Sequence, residues 1–169
     1  VDTTLTDAPN TPFERKPEKI GGWLIVVAIG LVLSALTNLN YFLSALLIFF
    51  KRTLWEKLTT PGAPAYHPYW KPLLIYDLVS SLILLLMTAV SFVLFLQKRR
   101  AFPTFIVVGI PIIFLLAFAG HYLSSLIPQA AATKAYAEAS HVLWIRFVAL
   151  HVWIPYFLVS KRVKRTFVR

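Results

Sequence analysis

Four side chains could do chemistry within the apolar blocks of the chain: Asp77, His121, Arg146 and His151. Each sits inside a long hydrophobic block, where an ionisable group is costly and either points inward or marks function. Asp77 follows Pro72 by five residues, Arg146 follows His141 by five, and His121 precedes Ile127 by six. If those residues mark block ends, each group lies roughly 7–9 Å beneath the same membrane face at helical rise. Asn38 and Asn40 reach a similar level on the first block. The expectation is one polar layer to which all four blocks contribute. Asp77 and Arg146 could pair there, with Asn38 or Asn40 and His121 completing the hydrogen bonds.

Sequence alone leaves three readings of that layer open. It could be a structural clasp, since polar side chains join membrane helices at about 1 kcal/mol each without a ligand. Arg146 could instead snorkel to the headgroups. Or the layer lines an outward-facing ligand pocket.

Other chemistry finds less support. A haem on His121 and His151 is not expected: His151 falls roughly 6 Å deeper, and trans ligands to one iron should be level. His67 and His141 have no carboxylate or second His at ligand spacing, so no metal site is expected. The absence of cysteine removes disulfides and thiolate ligands. Ser80-Ser81 and Ser124-Ser125 have no base nearby in sequence, and Asp77 with His121 is thin evidence for acid–base work. No catalytic residue is assigned, and an enzyme ranks last among the functional classes. The inner two-thirds of the blocks is nearly bare of polar groups apart from His151, which argues against a self-contained transporter.

The elements that must position these groups follow from composition. Hydrophobic residues make up 58% and charged residues 14%, against roughly 45–50% and 25% in a soluble domain. Apolar residues arrive in blocks about as long as a bilayer is thick. The fold class is therefore an all-α membrane protein, a four-transmembrane-helix bundle over residues 20–160. Its spans are expected near 22–43, 73–96, 102–127 and 141–160. Residues 1–19, with Pro9, Pro12 and Pro17, form an extended polar tail, and 161–169 a basic one. No cleavable leader is expected, because the first block is too long and no small-residue cleavage site follows it.

Between spans one and two, residues 51–72 form an outer loop rich in proline and aromatics. Leu47, Phe50, Leu54 and Leu58 recur at helical spacing. They suit either a short interfacial helix after span one or a continuous helix projecting into water. Gly109 and Pro111 predict a kink in span three. The connector from Pro128 to Ser140 permits a short helical turn.

The net charge of +10 could point to nucleic acid, but no basic, aromatic-interleaved surface stretch is present, so none is expected. The charges flank the apolar blocks instead. With the N-terminus inside, eleven Lys and Arg fall on the inner side and five on the outer. Both termini are therefore expected in the cytoplasm. Lys98, Arg99, Arg100, Lys161, Arg162, Lys164 and Arg165 are expected to contact anionic headgroups. Trp23, Trp153 and Tyr156 on the inner side, and Tyr41, Trp70, Tyr122 and Trp144 on the outer, suit interface anchors.

Three stretches also resemble a known family. They are Pro17-Glu18-Lys19-Ile20-Gly21-Gly22-Trp23-Leu24, Ala65-Tyr66-His67-Pro68-Tyr69-Trp70-Lys71-Pro72-Leu73, and the run from Trp153 through Pro155, Tyr156 and Lys161 to Phe167. They resemble the start of helix one, the outer loop and the C-terminal signature of small bacterial inner-membrane proteins, domain of unknown function twenty-five sixty-nine. The last stretch is the most specific. The resemblance implies four helices and a multi-pass place in the bacterial inner membrane, and it implies no activity. The leading functional expectation is a non-catalytic accessory subunit that binds a protein partner or a second copy within the lipid bilayer. The alternative is a protein that binds or transports a small ligand or lipid through the outer polar pocket.

Overall fold

The computed structural model describes residues 22–167. The polar tail, with Arg15, Lys16 and Lys19, and Arg169 lie outside the described residues. Among the described residues the fold is all-α, in chain order α1 (Trp23–Phe50), α2 (Arg52–Thr59), α3 (Trp70–Leu96), α4 (Ala101–Ser125), α5 (Pro128–Ala131), α6 (Lys134–Val159) and α7 (Lys161–Thr166). Helices α1, α3, α4 and α6 are each long and apolar enough to cross a membrane. Hydrocarbon offers the backbone no hydrogen bonds, so each crossing must satisfy its own amides as a helix. The chain is an all-α, multi-pass membrane protein.

Helix bounds differ from the apolar blocks in two places that matter. α1 does not stop near residue 43 but runs 28 residues to Phe50, roughly 42 Å at helical rise. Thr37, Asn38 and Asn40 do not interrupt it: Asn38 meets Thr88 of α3, and Thr37 and Asn40 are exposed on a helix whose backbone is satisfied by its own bonds. At Lys51 the backbone breaks and restarts as α2, so the continuous projecting helix does not occur. Phe49 and Trp55 pack across that break with ring centroids 4.7 Å apart. α6 begins at Lys134, seven residues before His141. The stretch from Lys134 to Ala139 is half alanine and strongly helix-forming, and Thr133 caps it by accepting from the Tyr136 amide at 3.2 Å. α4 continues as one helix through Pro111.

The four long helices pack serially: α1 lies along α3, α3 along α4, and α4 along α6. Short links between antiparallel neighbours enforce this order, as with the four residues between α3 and α4. α1 and α6, at the two ends of the row, share no extended contact. They share a cluster at the end of the bundle where the described chain begins and finishes. There Leu24, Val27 and Leu31 of α1, Phe95 of α3, Phe102 of α4 and Phe157 of α6 form a buried cluster with Val163 and Phe167. Phe102 is fully buried, stacked on Phe167 at 4.7 Å and edge-on to Phe95 at 5.2 Å. The basic run is thus not a loose tail. It folds into α7, capped by Ser160, and turns Val163 and Thr166 into the protein while Lys161, Arg162, Lys164 and Arg165 stay exposed.

Small residues set how closely the helices approach. A Cβ on Gly109 would meet Met87 at 3.1 Å, and one on Gly120 would meet the Tyr76 ring at 3.1 Å. Lipid tails are as apolar as leucine, so close backbone packing rather than hydrophobicity drives such contacts. Along α3, Ser81, Thr88 and Ser91 are buried and donate back to carbonyls of their own helix.

Candidate functional site

Cross-helix contacts supply a depth scale. Asn38 of α1 touches Thr88 of α3, Met87 touches Gly109 of α4, and Phe114 of α4 packs on Phe147 of α6. On that scale the expected single polar layer divides into three levels. Asn38 stands level with Thr88, eleven residues past Asp77, which is roughly 16 Å deeper at helical rise. Arg146 lies six residues past Ser140, roughly 9 Å deeper than His121, which Ser140 touches. Only Asp77 and His121 remain level. The misplacement came from counting depth from block ends that the helices overrun.

Each member of the layer has separate company. The Asn38 amide donates to Thr88 Oγ1 at 2.8 Å. Asn40 is exposed and, two residues on, points to the side of α1 opposite α3. Asp77 is exposed, with Oδ1 3.9 Å from the place of a Gly120 Cβ. His121 stacks on Tyr136 at 4.2 Å, and its Nε2 lies 3.3 Å from Ser140 Oγ. Its Nδ1 is buried without a partner among the described residues. Nearby, the Tyr76 hydroxyl donates to the Leu116 carbonyl at 2.5 Å, holding α3 to α4. Asp77 and Arg146 do not form the expected charge pair. The ion pairs among the described residues are Arg52–Glu56 at 2.7 Å and Lys134–Glu138 at 3.7 Å. His151 is exposed and bonds Phe147 of its own helix, eleven residues past Ser140. The two histidines do not share a level.

Two further features lie on α1 and α6 themselves. α1 has two exposed sides of opposite character. Ile25, Ile29, Val32, Leu36, Leu43 and Leu47 form one, wholly apolar. Gly30, Ser34, Thr37, Tyr41 and Ser44 form the other, spaced by four and three residues. Val27, one heptad before Ser34, belongs to the buried cluster.

α6 repeats the pattern. Trp153 and Tyr156 pack against the same cluster. Stepping back from Trp153 by four and then three residues along that flank reaches Ala149 and Arg146. Val148, Val152 and Val159 occupy the opposite, exposed side. Arg146 is half-buried and makes no hydrogen bond or ion pair among the described residues. α1 thus carries an exposed stripe with hydroxyls, and α6 a single half-buried guanidinium.

The basic residues of the α3–α4 turn and of α7 lie at the opposite, terminal end. Arg99 and Arg100 are exposed, Arg99 donating to Gln97 at 2.8 Å, and Lys98 occupies a left-handed turn at φ 51°. Arg162 reaches the first described residue, Gly22, whose Cβ would lie 3.0 Å from its Nη1.

Sequence reading missed Thr88, Tyr76, Tyr136 and Ser140 as partners of the polar groups. It also missed the stripe from Gly30 to Ser44, although its four–three spacing was available as a signal. Among the described residues no three His, Cys, Asp or Glu side chains cluster as metal ligands.

A family model described as "Protein of unknown function (DUF2569)" matches residues 17–168. No curated protein and no solved structure matches the chain.

Proposed function

We propose that this chain, which belongs to the DUF2569 family, is a non-catalytic membrane protein that binds a ligand between α1 and α6. The observations that carry the reading are an exposed stripe on α1 with Ser34, Thr37, Tyr41 and Ser44 and the half-buried Arg146 on α6, which has no partner among the described residues. A membrane helix facing only lipid has no reason to segregate serine, threonine and tyrosine onto one side. Hydroxyls and a guanidinium bind and orient. In this reading the Lys and Arg asymmetry puts the termini in the cytoplasm, so the site opens to the outer side of the bacterial inner membrane. The basic groups Lys98, Arg99, Arg100, Lys161, Arg162, Lys164 and Arg165 rest on the inner leaflet.

The chain has no cysteine, so single cysteines report water access cleanly. In nanodiscs, Ser44→Cys should react with a hydrophilic maleimide about tenfold faster than Leu36→Cys, because alkylation needs a hydrated thiolate. Equally slow reaction at both positions would mean a sealed or lipid-filled gap and would end the proposal.

One observation favours a second reading, an accessory subunit seating a partner helix. Gly30 faces open space, and with Ser34 four residues on it forms a small pair that admits close helix approach. A stoichiometric partner retained in mild detergent, with Ser44→Cys shielded until it leaves, would select that reading.

A further inference from the structure

Packing at the terminal end brings two basic runs together that are far apart in sequence. α7 follows Ser160 and folds back over that end, where Val163, Thr166 and Phe167 are buried. Phe167 stacks on Phe102 at 4.7 Å and lies 5.8 Å from Phe95. Those two rings flank the α3–α4 turn, Phe95 four residues before Arg99 and Phe102 two after Arg100. The exposed Lys161, Arg162, Lys164 and Arg165 are thereby set beside the run of Lys98, Arg99 and Arg100. At about 100° per residue, Lys161 and Arg165 point away from the buried side of α7, and Arg162 and Lys164 take its flanks. Arg162 reaches Gly22 at the start of α1. α7 thus continues from α6 and meets α1, α3 and α4 in one cluster.

So much like charge in one place calls for an anion. The acidic side chains among the described residues are Glu56, Asp77 and Glu138, and all three lie toward the loop end. α7 has six residues, too few to hold as a helix by itself. Its first turn carries Lys161 and Arg162 and no acidic residue, which opposes the helix dipole. Docking therefore sets three buried side chains against repulsion among the basic groups. The level of α7 indicates which anion is at hand. Trp153 and Tyr156 pack against the same cluster, and Trp23 stands exposed at the start of α1. Such aromatics favour the headgroup level, and the anions concentrated there are lipid phosphates.

We infer that α7 is a strap closed by anionic phospholipid: phosphodiester headgroups bind the joint basic surface of α7 and the α3–α4 turn and hold α7 docked. Guanidinium forks match phosphate oxygens, and the lysines add point charge. Headgroup binding and docking are then one linked equilibrium, each favouring the other. In neutral lipid the strap loosens, and α1 loses its tie to α6 at this end. The strap rests on the proposed function only for the placement of these basic groups at a leaflet.

The test uses the full chain carrying Thr166→Cys in nanodiscs, alkylated with uncharged N-ethylmaleimide. Thr166 is fully buried and its hydroxyl has no partner among the described residues. A thiol there loses no hydrogen bond and reacts only when α7 lifts. Alkylation should be about tenfold slower in equal parts phosphatidylcholine and phosphatidylglycerol than in phosphatidylcholine alone. Lys161→Gln and Lys164→Gln together should remove most of that difference. Sodium phosphate added to the phosphatidylcholine discs should leave the rate unchanged. Equal rates in the two lipids overturn the inference, since packing alone then holds α7. So does a difference that survives the double substitution undiminished, the mark of surface charge acting on the thiol itself. Slowing by phosphate as strong as that by the lipid shows a soluble anion and overturns it too. If Thr166→Cys reacts fast in both lipids, Val163→Cys on the same buried side repeats the comparison. Fast reaction at both positions in both lipids means α7 is not docked and ends the inference. The Ser44→Cys comparison stands apart from every one of these results.

Discussion

The Asn38 side-chain amide donates to Thr88 Oγ1 across 2.8 Å, joining α1 to α3 deep within both spans. Thr88 in turn donates to the Leu84 carbonyl at 2.8 Å, so the hydroxyl bridges a partner helix and its own backbone. Asn38→Leu should cost about 1 kcal/mol, since Thr88 keeps its second bond and interhelical hydrogen bonds in membranes are modest. Thr88→Val strands the Asn38 amide and should cost more. In a double-mutant cycle read by thermal unfolding in detergent, the two losses should be less than additive. Additive losses would mean the bond contributes nothing to α1–α3 docking.

Asp77 and Arg146 present the opposite case. They share no ion pair, so Asp77→Ala and Arg146→Ala should change stability additively within about 0.5 kcal/mol. A double mutant no less stable than either single one would reveal coupling that the geometry lacks.

Gly109 and Gly120 sit at the same α3–α4 seam but face different neighbours. Gly109→Ala pushes on the flexible end of Met87 and should cost less than about 1 kcal/mol. Gly120→Ala pushes on the edge of the Tyr76 ring, which is anchored through its hydroxyl to Leu116. It should cost about 1–3 kcal/mol. Equal effects of the two substitutions would show that Tyr76 yields as readily as Met87.

The terminal cluster should behave as one unit. Phe102→Ala removes a fully buried ring and should cost about 3 kcal/mol or more. Phe167→Ala should cost less overall but release α7, whose Lys161, Arg162, Lys164 and Arg165 are exposed trypsin sites held in a docked helix. Limited trypsinolysis should cut the Phe167→Ala variant there well before the parent chain. Equal cutting rates would mean the Phe102–Phe167 stack does not hold α7.

Much of the architecture was legible in the residues. Gly21 to Phe50 and the three later blocks spell four spans, because hydrocarbon forces any apolar run of that length into a self-satisfied helix. The family resemblance carried by the stretches at Pro17, Ala65 and Trp153 holds over residues 17–168. The candidate site was legible only in part. Asp77, His121 and Arg146 stood out by type, but their levels did not. α1 runs past Asn40 to Phe50, and α6 starts seven residues before His141. Each turn of overrun moves a side chain by about 5 Å along the axis.

Sequence by itself determined that four charged or histidine side chains lie within apolar spans, for length and hydropathy are properties of the chain alone. Tertiary structure decided which neighbour each one meets. Asn38 found Thr88, His121 found Ser140 and Tyr136, and Arg146 found no partner among the described residues. Those outcomes depend on helix register and on which flank faces the row. Both are set by small-residue contacts such as Gly109 on Met87 and Gly120 on Tyr76. A one-residue change of register turns a side chain by about 100° around its helix, which separates a side chain clasped by a neighbouring helix from one that is not.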